Sequence, residues 1–194
     1  MGKTGYKPGD IVELAGTKFV VLDDLGPHDG EPEEGNDLFI LALEAQAKSR
    51  FGDTDNYARS ELRGRTANWK NEWFNKLPGH GVIRKRTIDL TTMDGRGRYG
   101  ELEVKAAPLT VDEARRYAGI IPPSNDAYWL ANGWGGPEYV FDGYALRVSE
   151  YGDWERAPVS NWYGIRPALV VSESLVRNNH TQGARSASTT VVLS

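Results

Sequence analysis

Short apolar runs alternate along the chain with longer polar stretches, and the spacing within each run predicts the elements. Ile11-Val12-Glu13-Leu14 and Lys18-Phe19-Val20-Val21-Leu22, separated by Ala15-Gly16-Thr17, predict an opening hairpin after a turn at Tyr6 to Asp10. Residues Asp23 to Asn36 are acidic, hold Gly and Pro and lack apolar periodicity, so a solvated loop is expected. Asp37 to Leu43 is apolar on both faces and reads as a central strand. From Thr66 to Leu77 the residues Trp69, Trp73, Phe74 and Leu77 recur at helical spacing, with Asn68, Lys70, Asn71, Glu72 and Lys76 on the other face, and Pro78-Gly79 ends the helix. This places both Trp in the core. Ile83 to Leu90 alternates as a strand does, and the Gly-rich Thr92 to Gly100 reads as a flexible loop or hairpin tip. Thr110, with Glu113 three residues on, forms a capping box for a short helix reaching Tyr117 or Ala118. Gly119 stops it, and Ile120-Ile121-Pro122-Pro123 continues extended.

The stretch Asp126 to Val171 holds four of the six Trp and five of the nine Tyr. Several of these rings lie among Gly, Asn, Pro and Asp, a turn-forming setting in which no regular face can bury them all. The stretch closes on Tyr163 to Val171, where a Gly-containing turn runs into an apolar β-branched strand that anchors the loops before it. Rigid rings and short adaptable polar side chains on anchored loops have the composition of a binding surface. The candidate contact residues are Asn125, Trp134, Tyr139, Tyr151, Trp154, Asn161, Trp162 and Tyr163. Trp129 and Tyr144 fall in strand positions and are assigned to the scaffold. Arg166, between Ile165 and Pro167 at a strand start, is assigned a structural role in which its guanidinium binds loop carbonyls or a carboxylate.

Length and composition narrow the choices. The 194 residues, 39% hydrophobic and 26% charged, fit one domain ending near Val171, followed by a polar tail 172–194. That tail, with its β-prone patch Thr189 to Leu193, is either disordered or an added strand that docks on another chain. A net charge of −4 argues against a nucleic-acid partner. The absence of Cys excludes disulfides, thiolate metal sites and Cys nucleophiles. No two of His28, His80 and His180 share a ligand spacing, and the acidic loop lacks the alternating carboxylates of a calcium loop, so no metal site is expected. Thr92 to Gly100 is neither a phosphate-binding loop nor a dinucleotide fingerprint, and no cofactor is expected. Asp142, Glu150, Asp153 and Glu155 place carboxylates near rings, as a sugar-cleaving cleft does, but sequence alone sets no separation between them. No Gly-x-Ser-x-Gly elbow is present. The N-terminal stretch lacks the apolar core of a signal peptide, and no apolar run reaches the roughly 18 residues of a membrane helix. The expectation is synthesis in the cytoplasm without a signal peptide and no membrane insertion.

Several of these segments carry a resemblance. Tyr128-Trp129-Leu130, a Gly-rich turn, Tyr144-Ala145-Leu146-Arg147-Val148 and then Gly164-Ile165-Arg166-Pro167-Ala168-Leu169 resemble the end of a C-type-lectin-like domain. More closely, the chain resembles an uncharacterised family from bacteria and their phages with a Trp-Leu-Arg-Ser-Pro-Gly run and a terminal Gly-Val-Arg-Pro-Ala-Leu. Tyr57 and Ser60-Glu61-Leu62-Arg63 match that family's Tyr-x-x-Ser-x-Leu-Arg. The first run is altered, since Trp129-Leu130 is followed by Ala131-Asn132-Gly133-Trp134. The resemblance implies an α+β, C-type-lectin-like fold with a small twisted antiparallel sheet, two helices and long loops. The wider fold group includes formylglycine-generating enzymes, which are copper-dependent and work through a Cys pair this chain lacks, and the variable proteins of diversity-generating retroelements. The lectin calcium signatures Glu-Pro-Asn and Trp-Asn-Asp are missing; Gly152-Asp153-Trp154-Glu155 resembles the latter loosely. What the resemblance implies is a non-catalytic receptor-binding or adhesion module, displayed on a phage particle or diversified by a retroelement. Its partner would be a protein or carbohydrate on a cell surface, with oligomer or particle assembly through the tail. The alternative is a structural protein of a virion or surface complex, and a sugar-acting enzyme stands third.

Overall fold

Continuous apolar runs bury the central strands on both faces, and the architecture is layered around them. The computed structural model describes residues 5–135 and 143–179. The candidate Tyr139, the carboxylate Asp142 and the tail patch Thr189 to Leu193 lie outside those residues. In chain order the strands are β1 (Ile11–Leu14), β2 (Thr17–Pro27), β3 (Asn36–Ala42), β4 (Ala47–Arg50), β5 (Ile83–Arg84), β6 (Arg86–Asp89), β7 (Glu101–Val104), β8 (Ala106–Ala107), β9 (Tyr128–Gly133), β10 (Tyr144–Val148), β11 (Trp154–Pro158), β12 (Trp162–Ile165) and β13 (Ala168–Ser172). The helices are α1 (Glu61–Phe74) and α2 (Val111–Arg116), and residues 173–179 are also helical.

The fold is α+β with mostly antiparallel sheets. One sheet has the order β1-β2-β3-β13-β5 with β8 also on β13, a second has β11-β10-β9-β12-β4, and β6 with β7 forms a separate ribbon. The single small sheet of the sequence reading is therefore replaced by two larger sheets and a ribbon. β9 and β12 make a parallel pairing, through Gly164 and Tyr128. In β3, Leu38, Ile40 and Ala42 pack with Trp73 and Leu175 on one side, while Phe39 and Leu41 meet Tyr128, Leu130, Leu146 and α2 residues on the other. β9 repeats the device: Tyr128 and Leu130 face the first sheet, and Trp129 and Ala131 face Phe51, Leu62 and the ribbon. Stacked layers of this kind let the second sheet rest on a solid support. Among the described residues no helix is long and apolar enough to cross a membrane.

The capping box at α2 is formed as expected, with Thr110 Oγ1 accepting from Glu113 N at 3.2 Å and Glu113 Oε2 accepting from Thr110 N at 2.8 Å. α1 begins five residues before the expected Thr66, because Ser60 Oγ accepts from Arg63 N at 3.1 Å and caps it. Trp73 is buried and donates its indole N–H to Leu14 O at 3.0 Å, while Trp69 stacks on it at 5.5 Å. Phe74, one residue around the helix from Trp73, remains exposed.

Other segments depart from the sequence reading. Ile83 to Leu90 divides: β5 joins β13, and β6 turns into the ribbon whose far end is the Gly-rich 92–100 connection. The acidic stretch 23–36 is not simply solvated. β2 extends into it as far as Pro27, and Arg84 binds Glu31 at 2.8 Å and the adjoining Asp37 at 3.0 Å. Nor does the domain end at Val171. Ser172 completes β13, and the helical residues Leu175 and Val176 are buried in the core against Trp73 and Ile83. A side chain at Gly81 would meet Leu175 Cα at 2.5 Å, so the last helix lies directly on the backbone there.

Candidate functional site

The turn between β10 and β11 is built by one serine. Ser149 Oγ accepts from Tyr151 N at 3.2 Å and from Asp153 N at 3.1 Å, its amide donates to Asp153 O at 2.8 Å, and Gly152 takes the φ of 89° that closes the turn. This lifts Tyr151 to 85% exposure and starts β11 on Trp154, 38% exposed. A pocket of about 170 Å³ flanks the turn, walled by Pro122, Pro123, Ser124, Tyr128, Tyr151 and Trp154. On its other flank lies a more open cleft of about 380 Å³, lined by Lys48, Asn125, Asp126, Arg147, Glu150, Trp162 and Tyr163. Tyr151 and its neighbours thus form a ridge between two hollows.

Each ring in the cleft is held from behind. Trp162 opens β12 opposite Arg50 and keeps 54% exposure, with the Arg65 guanidinium of α1 lying 5.2 Å over its ring. Arg50 and Arg65 are joined by Glu61, which accepts from both at 2.8 Å. Hydrogen bonds from Arg65 first and Arg50 second hold the Glu61 carboxyl below its usual pKa. A carboxylate lowered on folding contributes stability that is present at neutral pH and fades as pH falls through the lowered value, so this support loosens in acid. Tyr163 stands edge-on to buried Trp129 at 4.8 Å and carries the Arg147 guanidinium 4.5 Å over its ring, while Arg147 pairs with Glu155. Lys48 and Asp126 pair at 3.0 Å across the cleft. Glu44 accepts from Asn125 N at 3.0 Å, fixing that corner.

Five candidates therefore gather on one surface: Asn125, Tyr151, Trp154, Trp162 and Tyr163. Asn161 joins them, exposed and donating through Nδ2 to the Tyr163 hydroxyl at 3.3 Å. Trp134 does not. It bonds to Tyr144 O at the opposite end of β10, lies half-buried against the core and has Arg156 5.4 Å over its ring. The sequence does not mark Lys48, Asp126 or Arg147, because nothing local puts residue 48 beside residue 126, and it marks Glu150 only as a carboxylate near rings.

β12 reaches its place through a close approach at Gly164. Its N–H donates to Ala127 O at 2.8 Å, and a Cβ there would meet Ala45 Cβ at 2.6 Å and Ala127 O at 3.0 Å. Gly164→Ala is expected to destabilise by roughly 1–3 kcal/mol through overpacking. An unchanged melting temperature would show that β12 has room to shift.

Chemically, the cleft offers N–H donors, carboxylate acceptors and ring faces in one place. Among the described residues no cluster of three His, Asp or Glu stands close enough to hold a metal ion. Set against protein-family models, curated proteins and solved structures, the chain matches none of them.

Proposed function

We propose that the chain is a non-catalytic ligand-binding module of receptor-recognition or adhesion type with a C-type-lectin-like fold, and that the ridge at Tyr151 with its two flanking hollows is the contact face. The single observation that carries this reading is the exposure of Trp162 and Tyr151 beside a polar cleft. Large rings left in water while held from behind by Arg65 or a Ser149 turn are pre-organised contacts, and little entropy is lost when a partner covers them. The reading invokes no catalytic step, cofactor or metal. Its fold component is supported by the resemblance in Tyr128 to Leu130 and Gly164 to Leu169, and by the meeting of the opening hairpin with β13 in one sheet. The partner class is a protein or carbohydrate on a cell surface. Display on a phage particle, or diversification by a retroelement, follows from the same resemblance; a repeat of the coding DNA differing only at adenines, beside a reverse transcriptase, is the mark of the latter.

The experiment is a binding screen of the full chain against immobilised glycans and cell-surface proteins, repeated with Trp162→Ala and Trp154→Ala. Each change is expected to weaken the binding by roughly 2 kcal/mol, about thirtyfold, with a melting temperature close to that of the parent. Unchanged binding with altered assembly would favour the second reading, a structural protein of a virion or surface complex. One observation speaks for that alternative: β11 is an edge strand, and Trp154, Glu155 and Arg156 on it are exposed.

A further inference from the structure

A third hollow lies away from the aromatic face. α1 contributes Arg63, Ala67 and Lys70, and the end of β7 with the residues after it contributes Glu103, Val104, Lys105 and Ala106, to a groove of about 180 Å³. The spacing 63, 67, 70 places a methyl group between two long cations on one helix stripe, so the groove has a short floor and basic walls. Across it, Val104 is buried while Glu103 and Lys105 are exposed. Its charges do not balance. Three cations meet one carboxylate, and that carboxylate is already engaged, with Lys85 Nζ donating to its two oxygens at 2.9 and 3.1 Å. Arg63 donates to Ala58 O at 2.7 Å, which uses one of its five N–H groups. Among the described residues neither Lys70 nor Lys105 has a hydrogen-bond or ion-pair partner. Burial first, and the nearby charge of Lys105 second, lowers the Lys70 pKa from its ordinary value.

We propose that this groove binds a tetrahedral oxyanion, a phosphate or sulfate group, with Lys70 and Lys105 as direct ligands and Arg63 as the third cation. A doubly charged anion fits because it neutralises the two lysines together, whereas a lone carboxylate neutralises one. The site is separate from the ridge at Tyr151, so the two proposals stand or fall independently.

The test uses the full chain and its Lys70→Gln, Lys105→Gln and doubly substituted variants, titrated with inorganic phosphate or sulfate against sodium chloride at matched ionic strength. Both oxyanions should raise the melting temperature of the parent and chloride should not. Each single substitution should weaken oxyanion binding about tenfold or more, and the double substitution should abolish it. Without oxyanion the variants should melt at or above the parent, since a like-charge repulsion has been removed. As a second readout, phosphate should move the titration of the Lys70 side chain, followed by nuclear magnetic resonance, to higher pH. Sedimentation with phosphatidic acid vesicles, using phosphatidylcholine vesicles as control, separates the sources: co-sedimentation displaced by phosphate assigns a headgroup, and phosphate binding without co-sedimentation assigns a soluble ligand. Equal responses to phosphate and chloride, or full phosphate binding by the double variant, would overturn the assignment.

Discussion

Trp129→Ala is expected to destabilise the protein by about 3–5 kcal/mol and, with it, to remove the binding proposed for the cleft. The indole is fully buried in β9, donates Nε1–H to Ser49 O at 2.9 Å and meets the rings of Phe51 and Tyr163 edge-on at 5.5 and 4.8 Å. Truncation empties the space between the second sheet and the ribbon, and it removes the surface against which Tyr163 is set. At this chain length the loss corresponds to a melting temperature lower by roughly 10 °C. Trp129→Phe keeps a ring but leaves the Ser49 carbonyl without its indole donor, at a smaller cost of about 1–3 kcal/mol. Thermal melts of both variants check the order. An Ala variant that melts with the parent would mean that the cleft rests on some other support.

The second large effect belongs to Arg166. Its side chain is buried, with Nε donating to Ala42 O at 2.7 Å, Nη2 donating to Pro122 O at 3.0 Å, and the guanidinium 5.0 Å over the Tyr128 ring. It therefore ties three things together: the end of β3, the extended segment before β9, and β9 itself. Burial pulls its pKa down from the usual guanidinium value, with Tyr128 and then Glu44 acting in the other direction. Arg166→Ala leaves two carbonyl acceptors without this donor and opens a cavity, for a loss of about 3 kcal/mol or more. Arg166→Lys keeps the charge but not the planar fork, so a substantial part of the loss is expected to remain. Because Pro122 and Tyr128 wall the smaller hollow, that pocket should loosen as well. Should Arg166→Lys melt with the parent and yet lose binding, the residue is a ligand contact and its structural assignment is wrong.

The elements that were legible in the sequence are those specified by neighbours. Thr110 and Glu113 form their capping box within four residues, and the opening hairpin needs only the apolar alternation on either side of Ala15-Gly16-Thr17. The two-sided apolar run at Asp37 to Leu43 likewise announces a strand buried on both faces. α1 was legible only in its second half. Its first turns, with Gly64 between Arg63 and Arg65, carry little apolar signal, and they are held by the Ser60 cap and by Leu62, which is buried against Phe51 and Trp129. The domain boundary was misplaced for the same kind of reason. Leu175 and Val176 are adjacent apolar residues in a polar segment, and they become core because the missing side chain of Gly81 lets the last helix approach.

For the candidate site, sequence by itself determined the supply: many rings among turn formers, with a strand at the end to anchor them. It also determined which chemistry is absent, since a chain without Cys makes no thiolate site. Only the tertiary structure decided which rings share a surface. Trp134 and Trp154 sit in similarly turn-rich surroundings, yet opposite ends of β10 carry one into a half-buried position beside Arg156 and the other to the ridge. Lys48 and Asp126, 78 residues apart, meet because β4 and the start of β9 both flank β12. Local sequence sets local conformation through caps, turns and alternation, whereas a cleft is an arrangement of distant segments, and its composition is fixed by the order of strands in the sheet.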